Sequence, residues 1–142
     1  MMVMNNSDVR WLIMNAENSV PMSILVIDDD ESLCTIVKMH LSGEFPDANI
    51  EVLHNAEDAI RKIDETHYDI LLVDMNLGKG KSGVDIIKHT RSKTRYNCRF
   101  IIITAHSDEF SFKAEADDYL KKPFDVYELS EIIKKQFDLL QE

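Results

Sequence analysis

The amino-acid sequence predicts an α/β fold, a doubly wound parallel sheet of five strands with helices packed on both faces. Short runs of Ile, Val and Leu recur along the chain, and segments with helical spacing of apolar residues lie between them. The chain has 142 residues, of which 44% are apolar. That length suits one compact core and is too short for two modest domains.

Five short segments are predicted to be strands. Four of them are rich in aliphatic residues and are bounded by polar or turn-forming residues, as expected of parallel strands buried on both faces. The fifth segment has a weaker pattern. In chain order the strands are SILVI (23–27), NIEVL (49–53), YDILLV (68–73), RFIII (99–103) and DYLKK (118–122).

Apolar residues at helical spacing predict helices between and after these strands. Gly43 is expected to end the first helix, Asn55 to cap the second, and Asp125 with Glu128 to form a capping box before the last. The four apolar stripes are Leu33, Ile36, Val37 and Leu41; Ala56, Ala59, Ile60 and Ile63; Val84, Ile86 and Ile87; and Val126, Leu129, Ile132, Ile133, Phe137 and Leu140.

Charge and composition exclude several classes of protein. The chain has 16 Lys plus Arg against 26 Asp plus Glu, a formal charge of −10 that repels polyanions, so we expect no direct contact with nucleic acid or an anionic membrane. No apolar run approaches the roughly 18–20 residues of a membrane span. Cys34 and Cys98 lie far apart and are expected to be reduced thiols in a cytoplasmic protein.

Polar residues follow every predicted strand. The carboxyl ends of parallel strands meet at one edge of a sheet, so these side chains are expected to converge there. They are Asp28, Asp29 and Asp30 after the first strand, His54 and Asn55 after the second, Asp74 after the third, Thr104 after the fourth, and Lys122 before Pro123 after the fifth.

Carboxylates that share a crevice repel one another unless a cation joins them. Mg²⁺ suits such a site because it binds hard oxygen ligands and commonly uses one or two carboxylates together with phosphate oxygens. Asp74 is the single acid at the end of the central strand and is assigned as the nucleophile, with Asp28 and Asp29 as metal ligands or water-mediated supports. Thr104 and Lys122 would stabilise a transferring phosphoryl group.

The four fragments VIDDDE, LLVD, IITAH and ADDYLKKPF, in this order, resemble the receiver domain of two-component response regulators over about residues 22–140. The resemblance implies a flavodoxin-like receiver fold. It also implies that Asp74 is the phosphoacceptor and that Asp29 and Asp74 bind Mg²⁺, with help from Asp28 and the backbone carbonyl of Asn76. Thr104 would contact the phosphoryl group, and Lys122, with a cis bond to Pro123, would be the motif lysine. Tyr119 would be the aromatic residue that swings inward on activation.

The function implied is that of a stand-alone, phosphorylation-controlled signalling module. Its phosphodonor would be a sensor histidine kinase or a histidine phosphotransfer protein, and its output a changed contact with a downstream protein, including a phosphorylation-dependent homodimer. Excision from a longer regulator is an open alternative. Two further alternatives are a small phosphatase that forms an aspartyl phosphate, suggested by Asp28 and Asp30 as a DxD motif, and a binding module that keeps the fold without phosphorylation.

Several features depart from the family pattern. The loop after Asp74 reads MNLGKGKSG, has Gly78 where proline is common, and is one residue longer. The segment between Thr104 and Lys122 is short by roughly one helical turn of about four residues, which predicts that the fourth helix of the family is truncated, displaced or poorly ordered here. A third departure in that segment is Glu115 in place of a glycine, and His106, two residues past Thr104, is expected to be a solvent-facing loop residue that could alternatively approach the phosphoryl group.

Residues 1–21 form an N-terminal extension outside the resemblance, and residues 22–142 form the predicted receiver domain. The extension is expected to be a short helix anchored by Trp11, Leu12 and Ile13, a loose arm, or a leader that precedes a start at Met22. Near residue 80, Gly80-Lys81-Ser82 resembles the end of a phosphate-binding loop, but Met75 stands where that motif needs its first glycine.

Overall fold

The computed structural model describes residues 4–9, 12, 21–78, 80–105 and 116–142. One parallel sheet has the strand order β2-β1-β3-β4-β5, which confirms the predicted fold class. Its strands are β1 Ser23–Ile27, β2 Asn49–Leu53, β3 Ile70–Asp74, β4 Arg99–Thr104 and β5 Asp118–Lys121. The helices around it are α1 Glu31–Glu44, α2 Ala56–Glu65, α3 Gly83–Arg91 and α4 Val126–Leu140.

Alternation along the strands divides the apolar residues between two cores. Successive side chains of a strand point to opposite faces, so Ile24 and Val26 pack beneath α1 and α4, whereas Leu25 and Ile27 pack beneath α2 and α3. β3 contributes to both cores in the same way and is buried along its whole length. The sheet is therefore covered by helices on both faces.

Two predictions for the first helix are wrong. α1 continues through Gly43 to Glu44, where the backbone N–H of Phe45 donates to the Leu41 carbonyl and the Phe45 ring is buried. Burial of that ring extends the helix beyond the glycine. Ile36 is 55% exposed, because a step of two residues turns it by about 200° from the buried Cys34.

The caps of the other helices follow the sequence with one change. Asn55 accepts a hydrogen bond from the backbone N–H of Asp58 at 2.8 Å, as predicted. Asp125 caps α4, but its carboxylate accepts from Tyr127, one residue earlier than the capping-box pattern requires. Ser82 caps α3, and its backbone N–H donates to the Asp85 carboxylate at 2.7 Å.

Three strands differ from the predicted bounds by one or two residues. The third strand begins at Ile70 instead of residue 68 and includes Asp74, the fourth includes Thr104, and the fifth ends at Lys121 instead of residue 122. The predicted shortened helix after Thr104, with His106 and Glu115, and the anchors Trp11 and Ile13 lie outside the described residues. Within the described ranges, no helix combines the length and the apolar composition that crossing a bilayer requires.

Candidate functional site

Three strand ends bring two carboxylates and one ammonium group together. Asp28 follows β1, Asp74 ends β3, and Lys122 follows β5. The Lys122 Nζ atom donates to Asp28 Oδ2 at 2.9 Å and to Asp74 Oδ2 at 3.2 Å. The strand order explains the convergence, because all the strands are parallel and end at the same edge, with β1 next to β3 and β5 separated from β3 by β4.

The three consecutive aspartates after β1 have different environments. Asp28 is 1% exposed and holds Lys122, and its second oxygen accepts from the backbone N–H of Asp30 at 2.9 Å. Asp29 is exposed to solvent. Asp30 caps α1 by accepting from the backbone N–H of Leu33 at 3.1 Å. The acidic run therefore serves both as a helix start and as part of the site.

Asp28, Asp29 and Asp74 form an acidic cluster suited to a metal ion. Each offers one carboxylate oxygen, and these oxygens lie within 4.8 Å of one another. Carboxylate oxygens are ligands that Mg²⁺ accepts, and the exposed Asp29 leaves one side of the cluster open to water, which Mg²⁺ retains in most protein sites. The donor set present thus fits the ion that the sequence predicts.

The environment of Asp74 makes its negative charge costly. Burial raises the pKa of Asp74 from 3.8 to about 6, and the nearby Asp28 adds to the increase, while the Asn76 backbone N–H and Lys122 oppose it. For Lys122, burial alone would lower the pKa, but the hydrogen bonds and charges of Asp28 and Asp74 outweigh it, so the net pKa is raised. Lys122 therefore remains an ammonium group and holds the two carboxylates together.

Backbone contacts fix Asp28 from behind the site. Its carbonyl oxygen lies 3.0 Å from His54 Nδ1 and 3.4 Å from Cys34 Sγ. Burial and the neighbouring Asp28 raise the pKa of Cys34 to about 11, so this thiol is a neutral donor. The sequence placed His54 at this edge without a role and gave no role to Cys34, because only the folded chain brings both to Asp28.

Gly83 contacts the backbone of Asp74. A Cβ at this position would lie 2.6 Å from the Asp74 carbonyl oxygen and 2.9 Å from Val73 Cγ1. This contact was not predicted from the sequence. The only signal was a glycine at the start of a helix, a position where glycine has several explanations.

The remaining predicted site residues lie at or near the same edge. Asn76 is exposed, and its backbone N–H donates to Asp74 Oδ1 at 3.0 Å. Thr104 ends β4, and its carbonyl oxygen accepts from the Lys122 N–H at 2.7 Å. Lys121 is exposed, as strand alternation predicts, and the Lys122–Pro123 bond is cis, as the resemblance implies. Tyr119 is 45% exposed, the outward one of its two expected positions.

The loop after Asp74 contains two glycines with left-handed backbone. Gly78 has φ +78° and Gly80 φ +101°, conformations that glycine adopts without a steric cost. Downstream, the Asp85 carboxylate occupies the start of α3, where a phosphate-binding loop would present free N–H groups. This arrangement agrees with the exclusion of a nucleotide-binding loop.

Comparison with known proteins gives one consistent result. The family model described as "Response regulator receiver domain" matches residues 24–134. The transcriptional regulatory protein TrcR of Mycobacterium tuberculosis is 33% identical over 112 residues, which is 77% of this chain and 42% of TrcR. The chain spans less than half the length of the curated relatives it matches first.

Solved structures agree in fold over nearly their whole length. Response regulator protein TrrA from Thermotoga maritima, in complex with Mg(2+)-BeF, has a TM-score of 0.71 and 30% identity, with 81% of this chain and 98% of that chain covered. A CheY-like receiver domain from Methanospirillum hungatei has a TM-score of 0.75 and 27% identity, with 86% and 98% covered.

Proposed function

This chain belongs to the response regulator receiver domain family, and we propose that it is a phosphorylation-controlled signalling module that accepts a phosphoryl group on Asp74. Receiver domains of response regulators are signalling modules of two-component systems. The observation that carries the proposal is the position of Asp74, at the end of the central strand and 3.2 Å from Lys122 Nζ, within the acidic cluster.

The Asp74 carboxylate is proposed to attack phosphorus, so that an O–P bond forms while the N–P bond to the donor's histidine breaks. The electron pair of that bond stays with the imidazole, and the product is an acyl phosphate. Asn76 holds one Asp74 oxygen through its N–H, while Lys122 lies beside the other. These contacts orient the carboxylate, and the ammonium offsets charge on the phosphoryl oxygens.

Asp28, Asp29 and Asp74, with the backbone carbonyl of Asn76, would hold Mg²⁺. When bound, the ion supplies positive charge next to the carboxylates and the phosphoryl oxygens. The open oxygen cluster supports this assignment, and so does the Mg(2+)-BeF complex of TrrA.

Thr104 and Tyr119 are proposed to convert phosphorylation into a change of shape. The Thr104 hydroxyl would move toward the phosphoryl oxygens, and the exposed Tyr119 would turn inward. A group that contacts the two conformations differently shifts their populations. The donor is proposed to be a sensor histidine kinase or a histidine phosphotransfer protein, and the output a contact with a downstream protein or a second copy of the chain.

The phosphatase alternative loses support at Asp30. A DxD mechanism would need its second carboxylate at the reacting group, whereas the Asp30 carboxylate accepts from Leu33 and caps α1.

The proposal is tested by incubating the chain with Mg²⁺ and acetyl phosphate. We expect one acid-stable, base-labile phosphoryl adduct per chain by intact-mass spectrometry, which maps to Asp74 and disappears in Asp74→Asn. Asp47→Asn changes an exposed carboxyl outside the cluster and should leave the adduct intact. A folded protein that forms no adduct, or that turns over a phosphorylated substrate continuously, would contradict the proposal.

A further inference from the structure

Asp28 is held through its backbone as well as through its carboxylate. Its N–H donates to the Leu53 carbonyl oxygen at 3.1 Å, which extends the pairing of β1 with β2 by one residue beyond the end of β1. Its carbonyl oxygen lies 3.0 Å from Nδ1 of His54, the first residue after β2. A side chain from the neighbouring strand end therefore contacts Asp28 at the point where the backbone leaves the sheet for α1.

This contact fixes the tautomer of His54. A carbonyl oxygen can only accept a hydrogen bond, so Nδ1 must carry the hydrogen, and Nε2 of the neutral ring then carries the lone pair. The Cys34 Sγ atom lies 3.4 Å from the same carbonyl oxygen, but a thiol is a weak donor. Of these two side chains, His54 is therefore the stronger donor to Asp28.

The position of the Asp28 backbone matters for the whole site. The Asp28 carboxylate accepts from Lys122 Nζ at 2.9 Å and belongs to the acidic cluster with Asp29 and Asp74. The side chain that joins this carboxylate to the backbone is short, so a displaced backbone displaces the carboxylate oxygens as well. Mg²⁺ demands near-ideal octahedral geometry, and groups that orient its ligands tune its affinity.

We propose that His54 is a positioning residue of the metal site, whose Nδ1–H holds the Asp28 backbone where the Asp28 carboxylate can serve both Mg²⁺ and Lys122. The role requires no contact of His54 with the ion or with a phosphoryl group, because His54 acts through Asp28. The inference rests on the proposed function, since it takes the acidic cluster to be a Mg²⁺ site. The measurements that test it follow the ring of His54 and the binding of Mg²⁺, not phosphorylation.

The tautomer of His54 is measured by long-range ¹H–¹⁵N NMR of the metal-free chain, with the ring signals assigned by substitution. We expect the neutral His54 ring to carry its hydrogen on Nδ1. His40 supplies the contrasting signal, because its Nε2 lies 2.7 Å from a Ser130 hydroxyl that itself donates to the Val126 carbonyl oxygen, so the hydrogen is on Nε2. A neutral His54 ring with its hydrogen on Nε2 would overturn the proposal.

Loss of the donor is tested with two variants of His54 that have side chains of the same shape. Leu and Asn branch alike, but only Asn offers an N–H group at the δ position, where the His54 donor stands. Mg²⁺ affinity is measured by titrating each chain with MgCl₂ and following the amide NMR signals of the site. His54→Leu should weaken Mg²⁺ binding by about three- to tenfold, the range expected for one neutral hydrogen bond. His54→Asn should bind Mg²⁺ as the unchanged chain does.

His40→Leu is the matched control, because it removes a histidine hydrogen bond where α1 packs against α4 and should leave Mg²⁺ affinity unchanged. Unchanged affinity in His54→Leu, or equal losses in His54→Leu and His54→Asn, would overturn the proposal, since packing alone does not distinguish an N–H from a methyl group. An unchanged chain that binds no Mg²⁺ would overturn it together with the metal site. A chain that binds Mg²⁺ but forms no Asp74 adduct would contradict the proposed function alone.

Discussion

Gly83 lies directly against Asp74, and a Cβ added at Gly83 would come within 2.6 Å of the Asp74 carbonyl oxygen. Real Cβ atoms do not approach a carbonyl this closely. The start of α3 is therefore seated on the end of β3, and the Gly83 N–H lies 3.4 Å from the Met75 carbonyl oxygen. The position of the proposed phosphoacceptor depends on a residue that has no side chain.

Gly83→Ala should lower the free energy of unfolding by about 1–3 kcal/mol, the usual cost of forcing a methyl group into a packed site. It should also slow formation of the Asp74 adduct, because α3 or the end of β3 must shift. Urea unfolding and adduct formation from acetyl phosphate measure the two effects.

Gly43→Ala is the matched control, because Gly43 lies within α1 and a methyl group added there would have no atom within 4 Å. It should stabilise the protein by about 0.5–1 kcal/mol through helix propensity and leave adduct formation unchanged. Equal effects of the two substitutions would show that the contact with Asp74 is unimportant.

Asp74→Asn should stabilise the chain above pH 6 when metal is removed with EDTA. Burial raises the pKa of Asp74 to about 6, so the folded chain binds this proton more tightly than the unfolded chain. Ionisation of the Asp74 carboxyl group therefore lowers the free energy of unfolding as pH rises from about 4 to 6. This loss, on the order of 2 kcal/mol, persists above pH 6.

Urea unfolding at pH 4.5 and pH 7.5 measures this effect, and the asparagine variant should lose less stability than the unchanged chain between the two values. Asp47→Asn, on an exposed loop, should follow the unchanged chain. Parallel pH profiles for the chain and Asp74→Asn would rule out a raised pKa at this position.

Lys122→Met should destabilise the chain at pH 7.5 by about 1–3 kcal/mol, because it leaves Asp28 buried without the partly exposed ammonium group that it binds. The loss should shrink near pH 5, where Asp74 takes up a proton and the repulsion between the carboxylates falls. Lys121→Met alters the exposed neighbour and should have little effect. Chemical denaturation at both pH values separates the two lysines, and similar losses in both variants would contradict the role of Lys122.

Thr104→Ala should leave Asp74 able to accept phosphate while weakening the conformational response. The hydroxyl is proposed to contact the phosphoryl group after transfer, so its loss removes a difference between the two states. Adduct formation by mass spectrometry and the change in Tyr119 environment by ring NMR signals measure the two steps. A full response of Tyr119 in this variant would remove Thr104 from the switch.

Local patterns in the sequence were sufficient for the sheet and for much of the site. Short apolar runs and helical spacing are patterns of a few residues, so strands, helices and the cap at Asn55 could be predicted from the local sequence. Because parallel strands end at one edge, the sequence also predicted that Asp28, Asp74 and Lys122 lie close together, as the structure has them. The same local rules failed where burial in the tertiary structure prevailed, as at the end of α1, which continues past Gly43 to the buried Phe45.

The sequence by itself determined which chemical groups stand at the strand ends, since that depends only on residue type and period. Only the tertiary structure decided that Asp28 binds Lys122 while Asp30 caps α1. The same holds for the contact of Gly83 with Asp74 and for the ion pair of Asp8 with Lys134. These contacts join residues far apart in the chain or depend on tenths of an ångström, and both are set by packing of the whole core.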